Sequence, residues 1–205
     1  ISGDHLAAQL ADAGLRIAGE VRRAAVPAEP ERLLIEHRDP LLPALGILNG
    51  RSQNFYGEQI LRVLGHRIRG RGSIADGAAA VLAILERDLE LPSAPVNLLD
   101  GSGLSYDNRA SAAWLCQLLQ RTANGDHGDR FASTLKDRWA GHVRARVKTG
   151  SLGVARCLAG YVPGPDGASY AFAILCNRAE ARSIGWANSL RSKAFRAICE
   201  ILGEP

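Results

Sequence analysis

Apolar residues recur every three or four positions through the first two thirds of the chain, which is the pattern of amphipathic helices. The clearest case is the stretch from Ser52 to Leu64, where residues recur at helical spacing: Phe55, Gln59, Ile60, Val63 and Leu64. Helices are predicted over residues 4–14, 40–48, 52–64, 73–89, 110–122 and 186–202. After the first of these helices, Leu15, Ile17 and Val21 predict a short strand.

The pattern changes in the C-terminal third, where apolar residues alternate with polar ones or form short unbroken runs. Residues 143–148, 154–162 and 169–177 are predicted as strands, and residues 163–167 as the turn between the last two. A mainly helical region followed by an antiparallel meander and a covering helix is α+β organisation. We therefore predict a helical lobe and a three-stranded antiparallel sheet that is covered by the C-terminal helix.

The composition is that of a globular protein and excludes several classes. Hydrophobic residues make up 46% of the chain and charged residues 22%, which excludes a disordered chain. No apolar run approaches the roughly 18 residues that a membrane-spanning helix needs. The formal net charge is +4, and the basic stretch from His66 to Gly72 has no aromatic residue among its arginines. We therefore expect no nucleic-acid partner.

The chain contains no methionine and begins at Ile1, so we expect a segment upstream of it that was removed or not included. Its four cysteines lack the C-x-x-C spacing of a zinc or redox site; they are Cys116, Cys157, Cys176 and Cys199. We interpret them as buried thiols. We expect no metal and no other cofactor.

The strongest chemical motif is Lys148-Thr149-Gly150-Ser151, at the end of a predicted strand. Lys148 offers an ammonium group, Thr149 and Ser151 offer hydroxyls, and Gly150 leaves room for a second backbone to approach. Such a strand end suits a peptide with a terminal carboxylate that docks as an added strand. The alternative is a solvated strand end with a glycine bulge.

Two further motifs have simpler explanations when taken alone. Ser52-Gln53-Asn54 starts a predicted helix, so Ser52 is equally well a plain helix N-cap. The loop Asp100-Gly101-Ser102-Gly103-Leu104-Ser105 contains glycines that favour positive φ angles or a close approach, or it is an ordinary turn. The order of the three motifs along the chain is more informative than any one of them.

Together the three motifs resemble those of the D-alanyl-D-alanine carboxypeptidase/endopeptidase family, the class C low-molecular-mass penicillin-binding proteins. The likeness extends to Asn108-Arg109 after the loop and to the segments 158–162 and 171–175. It implies an incomplete serine β-lactamase/penicillin-binding-protein-like domain, of which residues 1–205 are the C-terminal part. It also implies a periplasmic or other extracytoplasmic location, with peptidoglycan peptides and β-lactams as partners.

The resemblance further implies acyl transfer at a D-Ala-D-Ala peptide bond, through a serine that is acylated and then released by water. The implied catalytic residues are Ser52, which relays a proton to the leaving amine, Asn54, which holds the substrate amide, and Lys148, which tunes the electrostatic field. The implied substrate-binding residues are Thr149, Gly150 and Ser151. The backbone N–H of Ser151 is the implied oxyanion-hole donor. A shared substrate requires Ser52 and Lys148 to lie within about 8 Å of each other.

The family's nucleophile motif, S-x-x-K, lies far upstream of S-x-N, and residues 1–51 contain no such motif. The sequence Ser133-Thr134-Leu135-Lys136 matches it but stands between the loop and the K-T-G strand, and we interpret it as a coincidence. We expect this chain to carry the S-x-N and K-T-G half of a carboxypeptidase/endopeptidase site and to be inactive alone. The alternative is a catalytically dead module that binds peptidoglycan or docks a partner.

The predicted last hairpin raises the question of whether two of the cysteines form a disulfide. A hairpin symmetric about residues 163–168 would pair Val162 with Ala171 and Cys157 with Cys176. Directly opposed residues have Cβ atoms about 4.5–5.5 Å apart, whereas a disulfide needs about 3.5–4.5 Å. Two thiols side by side are the expected outcome. A Cys157–Cys176 disulfide is the alternative, which the implied extracytoplasmic location would allow to persist.

Overall fold

The computed structural model describes residues 3–22, 24, 38–94, 96–177 and 184–203. The chain divides into two compact units, residues 1–38 and 39–205. The first unit contains the predicted first helix, α1 (Gly3–Asp12), which is followed by Gly14 in the left-handed conformation with φ 81°. The strand predicted at Leu15–Val21 is wrong: its three apolar side chains are exposed, and none of the described strands pairs with this segment.

Six helices belong to the second unit among the residues described. They are α2 (Leu41–Arg51), α3 (Asn54–Arg69), α4 (Ile74–Asp88), α5 (Ala112–Ala123), α6 (Gly128–Thr134) and α7 (Ile184–Gly203). The side chains of Ser73 and Ser111 cap α4 and α5 by accepting the backbone N–H of Asp76 and Trp114. All five helices predicted here are confirmed within a few residues. The short α6 was not predicted, and α3 continues through much of the basic stretch.

Helices α3 and α4 pack closely because glycines face each other at their contact. A Cβ atom on Gly65 would lie 2.7 Å from the backbone nitrogen of Gly77, and one on Gly77 would collide with the carbonyl group of Leu61. Between the helices, the Asp76 carboxylate accepts hydrogen bonds from Ser73 Oγ at 2.6 Å and from Arg71 at 2.9 Å. These bonds hold the pKa of Asp76 below its ordinary value. This close contact fixes the C-terminal half of α3 against the start of α4.

A four-stranded antiparallel sheet follows the helices, with its strands in sequence order. The strands are β1 (Lys136–Ala140), β2 (Val143–Leu152), β3 (Ala155–Pro163) and β4 (Ser169–Asn177). The three predicted strands are confirmed, and β2 runs further than predicted, through the whole Lys148–Ser151 motif. The additional strand β1 was missed because its sequence is mostly charged.

Helices cover both faces of this sheet. On one face, α7 closes the core of the unit, which consists of Val143, Ala145, Val147, Leu158, Val162, Phe172, Phe195 and Cys199. On the other face lies α5, where the hydroxyl of Tyr161 donates a 2.8 Å hydrogen bond to the carbonyl oxygen of Leu119. Burial raises the pKa of Tyr161 to about 12, so the hydroxyl stays protonated and keeps this bond at neutral pH. The fold is therefore α+β, as predicted.

The hairpin register differs from the prediction by one residue. Strands β3 and β4 pair Cys157 with Leu175 and Arg156 with Cys176. Because opposed residues share a face and neighbours alternate, Cys157 and Cys176 lie on opposite faces of the sheet. The predicted pairing of these cysteines, and with it the proposed disulfide, is wrong, and all four cysteines are free thiols.

The edge of β2 that faces away from β3 is paired with β1 only as far as Val147. Strand β1 pairs with Val143–Val147 and then ends, whereas β3 pairs with β2 through Leu152. In the described part of the chain, no strand pairs with the other edge of residues 148–152. The motif thus has one paired edge and one open edge. None of the helices described is long and apolar enough to cross a membrane.

Candidate functional site

The S-x-N and K-T-G motifs, which lie furthest apart in the sequence, meet through one hydrogen bond. Lys148 Nζ donates to Ser52 Oγ over 2.7 Å, although 96 positions separate the residues in sequence. The distance lies well inside the limit of about 8 Å that a shared substrate sets. Ser52 on the helical lobe and Lys148 on the sheet therefore border the same space.

Ser52 occupies an unusual backbone conformation. It ends α2 in the left-handed region, with φ 52° and ψ 47°, where residues other than glycine are uncommon. Gln53, not Ser52, is the N-cap residue of α3, and its side chain makes no capping bond. The N-cap explanation of Ser52 is therefore wrong, and its hydroxyl bonds Lys148 instead.

Lys148 is held in a half-buried position. Its ammonium group also donates to the carbonyl oxygen of Thr149, at 2.8 Å. Burial lowers the pKa of Lys148 below its ordinary value, and the positive charge of Lys136 lowers it further. A lysine with a lowered pKa gives up a proton more readily, so the pair suits proton movement between Ser52 and Lys148.

The position of α2, and hence of Ser52, is fixed by a contact that the sequence analysis missed. Asn49 donates from Nδ2 to the hydroxyl of Thr134 at 2.8 Å, and Thr134 donates in turn to the carbonyl oxygen of Phe131 at 2.7 Å. Thr134 is buried at the end of α6. Two polar residues at unrelated positions give no pattern, so only their meeting in space reveals this anchor.

Asn54 begins α3, two residues after Ser52, and its side chain is half-buried. The start of α3 is braced by the loop at 100–105. Glu58 Oε1 accepts the backbone N–H of Ser102 at 3.2 Å. A Cβ atom on Gly57 or on Gly101 would collide with the carbonyl oxygen of the other residue. The loop therefore positions the helix that follows Ser52.

Asp100 organises this loop from within. Its two carboxylate oxygens accept the backbone N–H of Gly103 and of Ser105, each at 2.6 Å. The side chain of Asn108 donates a third bond to Asp100 at 3.0 Å and accepts the N–H of Leu99 at 2.8 Å. All of these partners belong to the loop and its flanks, so this motif has a structural role.

The remaining motif residues lie along the open edge of β2. Thr149 and Ser151 are exposed, and their register partners in β3 are Leu158 and Arg156. Gly150 pairs with Cys157, and a Cβ atom there would lie 3.3 Å from Cys157 Cβ. A side chain at position 150 would crowd this strand pair.

The structure separates the serine and the lysine of the S-x-x-K match at Ser133–Lys136. Ser133 lies in α6 and donates to the carbonyl oxygen of Arg130 at 2.7 Å, whereas Lys136 begins β1. A serine and a lysine three positions apart lie on one face only within a helix. Ser133 and Lys136 thus lack the helical arrangement that would let the lysine activate the serine.

An apolar cavity of about 810 Å³ adjoins the end of β2. Its lining comes from α4, α5, the segment 96–110 and the strand ends, and includes Leu82, Trp114, Tyr106 and Leu152. Leu152 directly follows Ser151, so apolar space lies next to the motif. Among the residues described, no group of three or more His, Cys, Asp or Glu side chains could hold a metal ion.

Solved structures share this fold. A crystal structure of penicillin-binding protein 4 from Haemophilus influenzae, complexed with a β-lactam, superimposes with a TM-score of 0.74 at 23% identity, covering 94% of this chain and 49% of that one. A predatory endopeptidase of Bdellovibrio bacteriovorus, in complex with an immunity protein, gives 0.60 at 20% identity, covering 80% and 43%. The fold is therefore that of penicillin-binding peptidases.

The chain belongs to the D-Ala-D-Ala carboxypeptidase 3 (S13) family, whose sequence profile matches residues 1–189. It is 28% identical over 184 residues to a D-alanyl-D-alanine carboxypeptidase of Actinomadura sp. (strain R39), covering 80% of this chain and 34% of the relative. It is also 28% identical over 196 residues to a carboxypeptidase of Mycobacterium tuberculosis, covering 86% and 42%. The chain thus spans less than half the length of these relatives.

Proposed function

We propose that this chain supplies the S-x-N and K-T-G half of the active site of a serine-type D-Ala-D-Ala carboxypeptidase/endopeptidase that acts on peptidoglycan stem peptides outside the cytoplasm. Residues 1–205 would be the C-terminal part of one transpeptidase-like domain. The observation that carries the proposal is the 2.7 Å hydrogen bond from Lys148 Nζ to Ser52 Oγ. Family membership gives the reaction class.

The open edge of β2 supports the peptide-binding part of the proposal. A peptide that pairs with residues 148–152 as an added strand would satisfy backbone groups that no described strand pairs with. Its terminal carboxylate would accept hydrogen bonds from the exposed hydroxyls of Thr149 and Ser151. Gly150 would keep the strand surface clear of a side chain.

Proton transfer is the role that the geometry favours for Ser52 and Lys148. When an acylated serine forms, the peptide bond breaks and the departing D-alanine needs a proton on its amine nitrogen. Ser52 would donate that proton and be reprotonated by Lys148, whose lowered pKa makes the transfer easier. Asn54 would hold the substrate amide, and the backbone N–H of Ser151 would stabilise the oxyanion.

The nucleophile would come from an S-x-x-K segment, as the family pattern implies, and not from Ser133. The residues described here would bind and orient the peptide, but they would offer no covalent route by themselves. We therefore expect the isolated chain to bind a D-Ala-D-Ala peptide without cleaving it, and to form no covalent adduct with penicillin.

The test is a calorimetric titration of the isolated chain with N,N′-diacetyl-Lys-D-Ala-D-Ala, with the L-Ala-L-Ala peptide as the stereochemical control. The matched pair of variants is Lys148→Ala and Lys193→Ala, since Lys193 is exposed on α7. We expect D-selective binding that K148A weakens about tenfold or more and K193A leaves unchanged. Equal binding of both peptides, or no effect of K148A, would contradict the proposal.

Two further measurements test the assignment of Ser133 and separate the enzyme, by the length of the natural protein, from a binding module without activity. Intact mass after incubation with penicillin G should show no adduct, and an adduct mapped to Ser133 would overturn the assignment of that serine. Intact mass and N-terminal sequencing of the natural protein should give a polypeptide about twice as long as this chain. A mature protein of about 205 residues that binds without turnover would instead be the binding module.

A further inference from the structure

The basic stretch of the sequence forms the end of the hairpin between α3 and α4. Helix α3 ends at Arg69, and Gly70 follows in the left-handed conformation with φ 74°. Every residue from position 66 to position 73 is exposed to solvent. We call residues 66–73, together with Arg62, the basic tip. The function proposed above uses no residue of the basic tip.

Four guanidinium groups meet at the basic tip. Arg67, Arg69 and Arg71 alternate along its sequence with other residues. Arg62 joins them from earlier in α3, since its Nη1 atom donates to the carbonyl oxygen of Gly72 over 3.3 Å. The fold thus gathers arginines that the sequence spreads over two helical turns and a loop.

One carboxylate in the described part of the chain pairs with these arginines. Asp76 Oδ1 lies 2.9 Å from Arg71 and 3.6 Å from Arg69. Asp76 is also the only acidic residue in the sequence between Glu58 and Glu86. The C-terminal end of α3 adds a partial negative charge of about half an elementary charge. The basic tip therefore keeps about two to three positive charges that these groups do not balance.

An exposed apolar side chain stands among the arginines. Ile68 is 49% exposed and lies between Arg67 and Arg69 in sequence, while Gly70 and Gly72 leave the end of the hairpin without side chains. An apolar residue surrounded by cations matches the interface of a bilayer, where phosphate groups lie next to acyl chains. A single-stranded nucleic acid would call for aromatic side chains, and the sequence of the basic tip has none.

We propose that the basic tip docks on a bilayer surface that contains anionic phospholipids, with its arginines on the lipid phosphates and Ile68 in the interfacial layer. Guanidinium groups bind phosphate oxygens in pairs of hydrogen bonds, and each basic residue near an anionic bilayer adds to the attraction. Helix α3 has 16 residues and is about 24 Å long. Because Ser52 lies beyond the other end of α3, end-on docking leaves the candidate site clear of the bilayer.

The test is co-sedimentation of the isolated chain with vesicles made of equal parts of phosphatidylglycerol and phosphatidylcholine, with pure phosphatidylcholine vesicles as the control. We expect binding to the mixed vesicles only. Raising the NaCl concentration from about 0.05 M to about 0.5 M should weaken it strongly, because salt screens exposed charges. Equal binding to both kinds of vesicle, or to neither, would overturn the proposal.

The double variant R62Q/R67Q removes two charges and keeps the ion pairs of Asp76. Its matched control is R130Q/R196Q, which removes two exposed arginines of α6 and α7. We expect R62Q/R67Q to weaken vesicle binding about twentyfold or more, since each charge at the surface contributes about fivefold. The control should change it about threefold or less. Equal losses would show that net charge, and not the basic tip, attracts the vesicles.

A second pair of variants tests the apolar contact. Ile68→Ser should weaken vesicle binding about threefold or more, whereas Ile201→Ser, at a 74% exposed position of α7, should leave it unchanged. Wild-type affinity in I68S would overturn the insertion of Ile68. Binding of a single-stranded oligonucleotide without binding of vesicles would make the basic tip a nucleic-acid site and overturn the proposal. The D-Ala-D-Ala peptide should bind these variants as it binds the wild type, so the outcome is independent of the proposed function.

Discussion

Gly57 of α3 and Gly101 of the D-G-S-G loop meet backbone to backbone, so closely that a methyl group on either would strike the carbonyl oxygen of the other. This contact fixes the start of α3 against the loop, and Ser52 and Asn54 stand at that start. The geometry of the candidate site thus depends on two residues that have no side chain.

Replacing Gly101 by alanine should destabilise the protein by about 1–3 kcal/mol, because the added methyl group forces two backbone segments apart. The free energy of unfolding in urea measures the effect. The matched control is Gly46→Ala in α2, where a Cβ atom would meet nothing within 4 Å. This variant should gain about 0.5–1 kcal/mol, since alanine favours a helix. Equal effects of the two substitutions would show that the close approach is not a constraint.

Substitutions at Ser52 should separate the effect of its backbone conformation on stability from the effect of its hydroxyl on peptide binding. A left-handed conformation costs a residue with a Cβ atom about 1–2 kcal/mol, and glycine avoids that cost. Ser52→Gly should therefore be more stable than Ser52→Ala by about 1 kcal/mol in urea unfolding. Both variants should lose affinity for the D-Ala-D-Ala peptide, since neither can bond Lys148. Full affinity in either variant would show that the Ser52 hydroxyl does not contribute to peptide binding.

The lowered pKa of Lys148 predicts a pH dependence of stability with a definite sign. The unfolded chain has the ordinary lysine pKa, so it binds more protons than the folded protein at pH values between the two pKa values. The unfavourable contribution of the charged lysine is present below the folded pKa and is relieved as the pH rises through it. Relative to Lys148→Met, the wild type should gain stability as the pH increases from 7 towards 10.5. A difference that is constant with pH would contradict the lowered pKa.

Cysteine reactivity should follow the observed register. With Cys157 and Cys176 on opposite faces, we expect four reactive thiols under denaturing, non-reducing conditions. In the native protein, burial raises the pKa of Cys116, Cys157 and Cys199, so these three should react slowly with iodoacetamide near neutral pH. Two reactive thiols instead of four, with a protein mass 2 Da lower, would show that a disulfide is present and that the observed register is wrong.

Hydrophobic pattern and turn residues were sufficient to predict the α+β fold and three of the four strands. They missed β1 because Lys136, Asp137 and Arg138 give an edge strand no apolar alternation. They misjudged the last hairpin because it closes at Pro163 and Ser169, leaving five residues in the turn. Both faces of this hairpin are apolar, since α5 and α7 cover them, so burial pattern could not correct the register.

The candidate site was predictable to a different degree in each of its parts. The motif residues were found in the sequence, and their order along the chain gave the resemblance that implies their roles. Only the fold shows that Ser52 and Lys148, 96 positions apart, meet. The left-handed conformation of Ser52 and the Asn49–Thr134 anchor have no sequence signal, because each depends on where α2 ends against α6.

The hydrogen bonds of Asp100 have a consequence for evolution. Both oxygens of its carboxylate accept hydrogen bonds, from Gly103, Ser105 and Asn108, so the architecture of the loop explains its sequence. A descendant that had lost every trace of catalysis would keep this aspartate as long as the loop had to hold its shape. Among such descendants, the D-G-S-G signature would record ancestry, whereas the pairing of Ser52 with Lys148 would be free to drift.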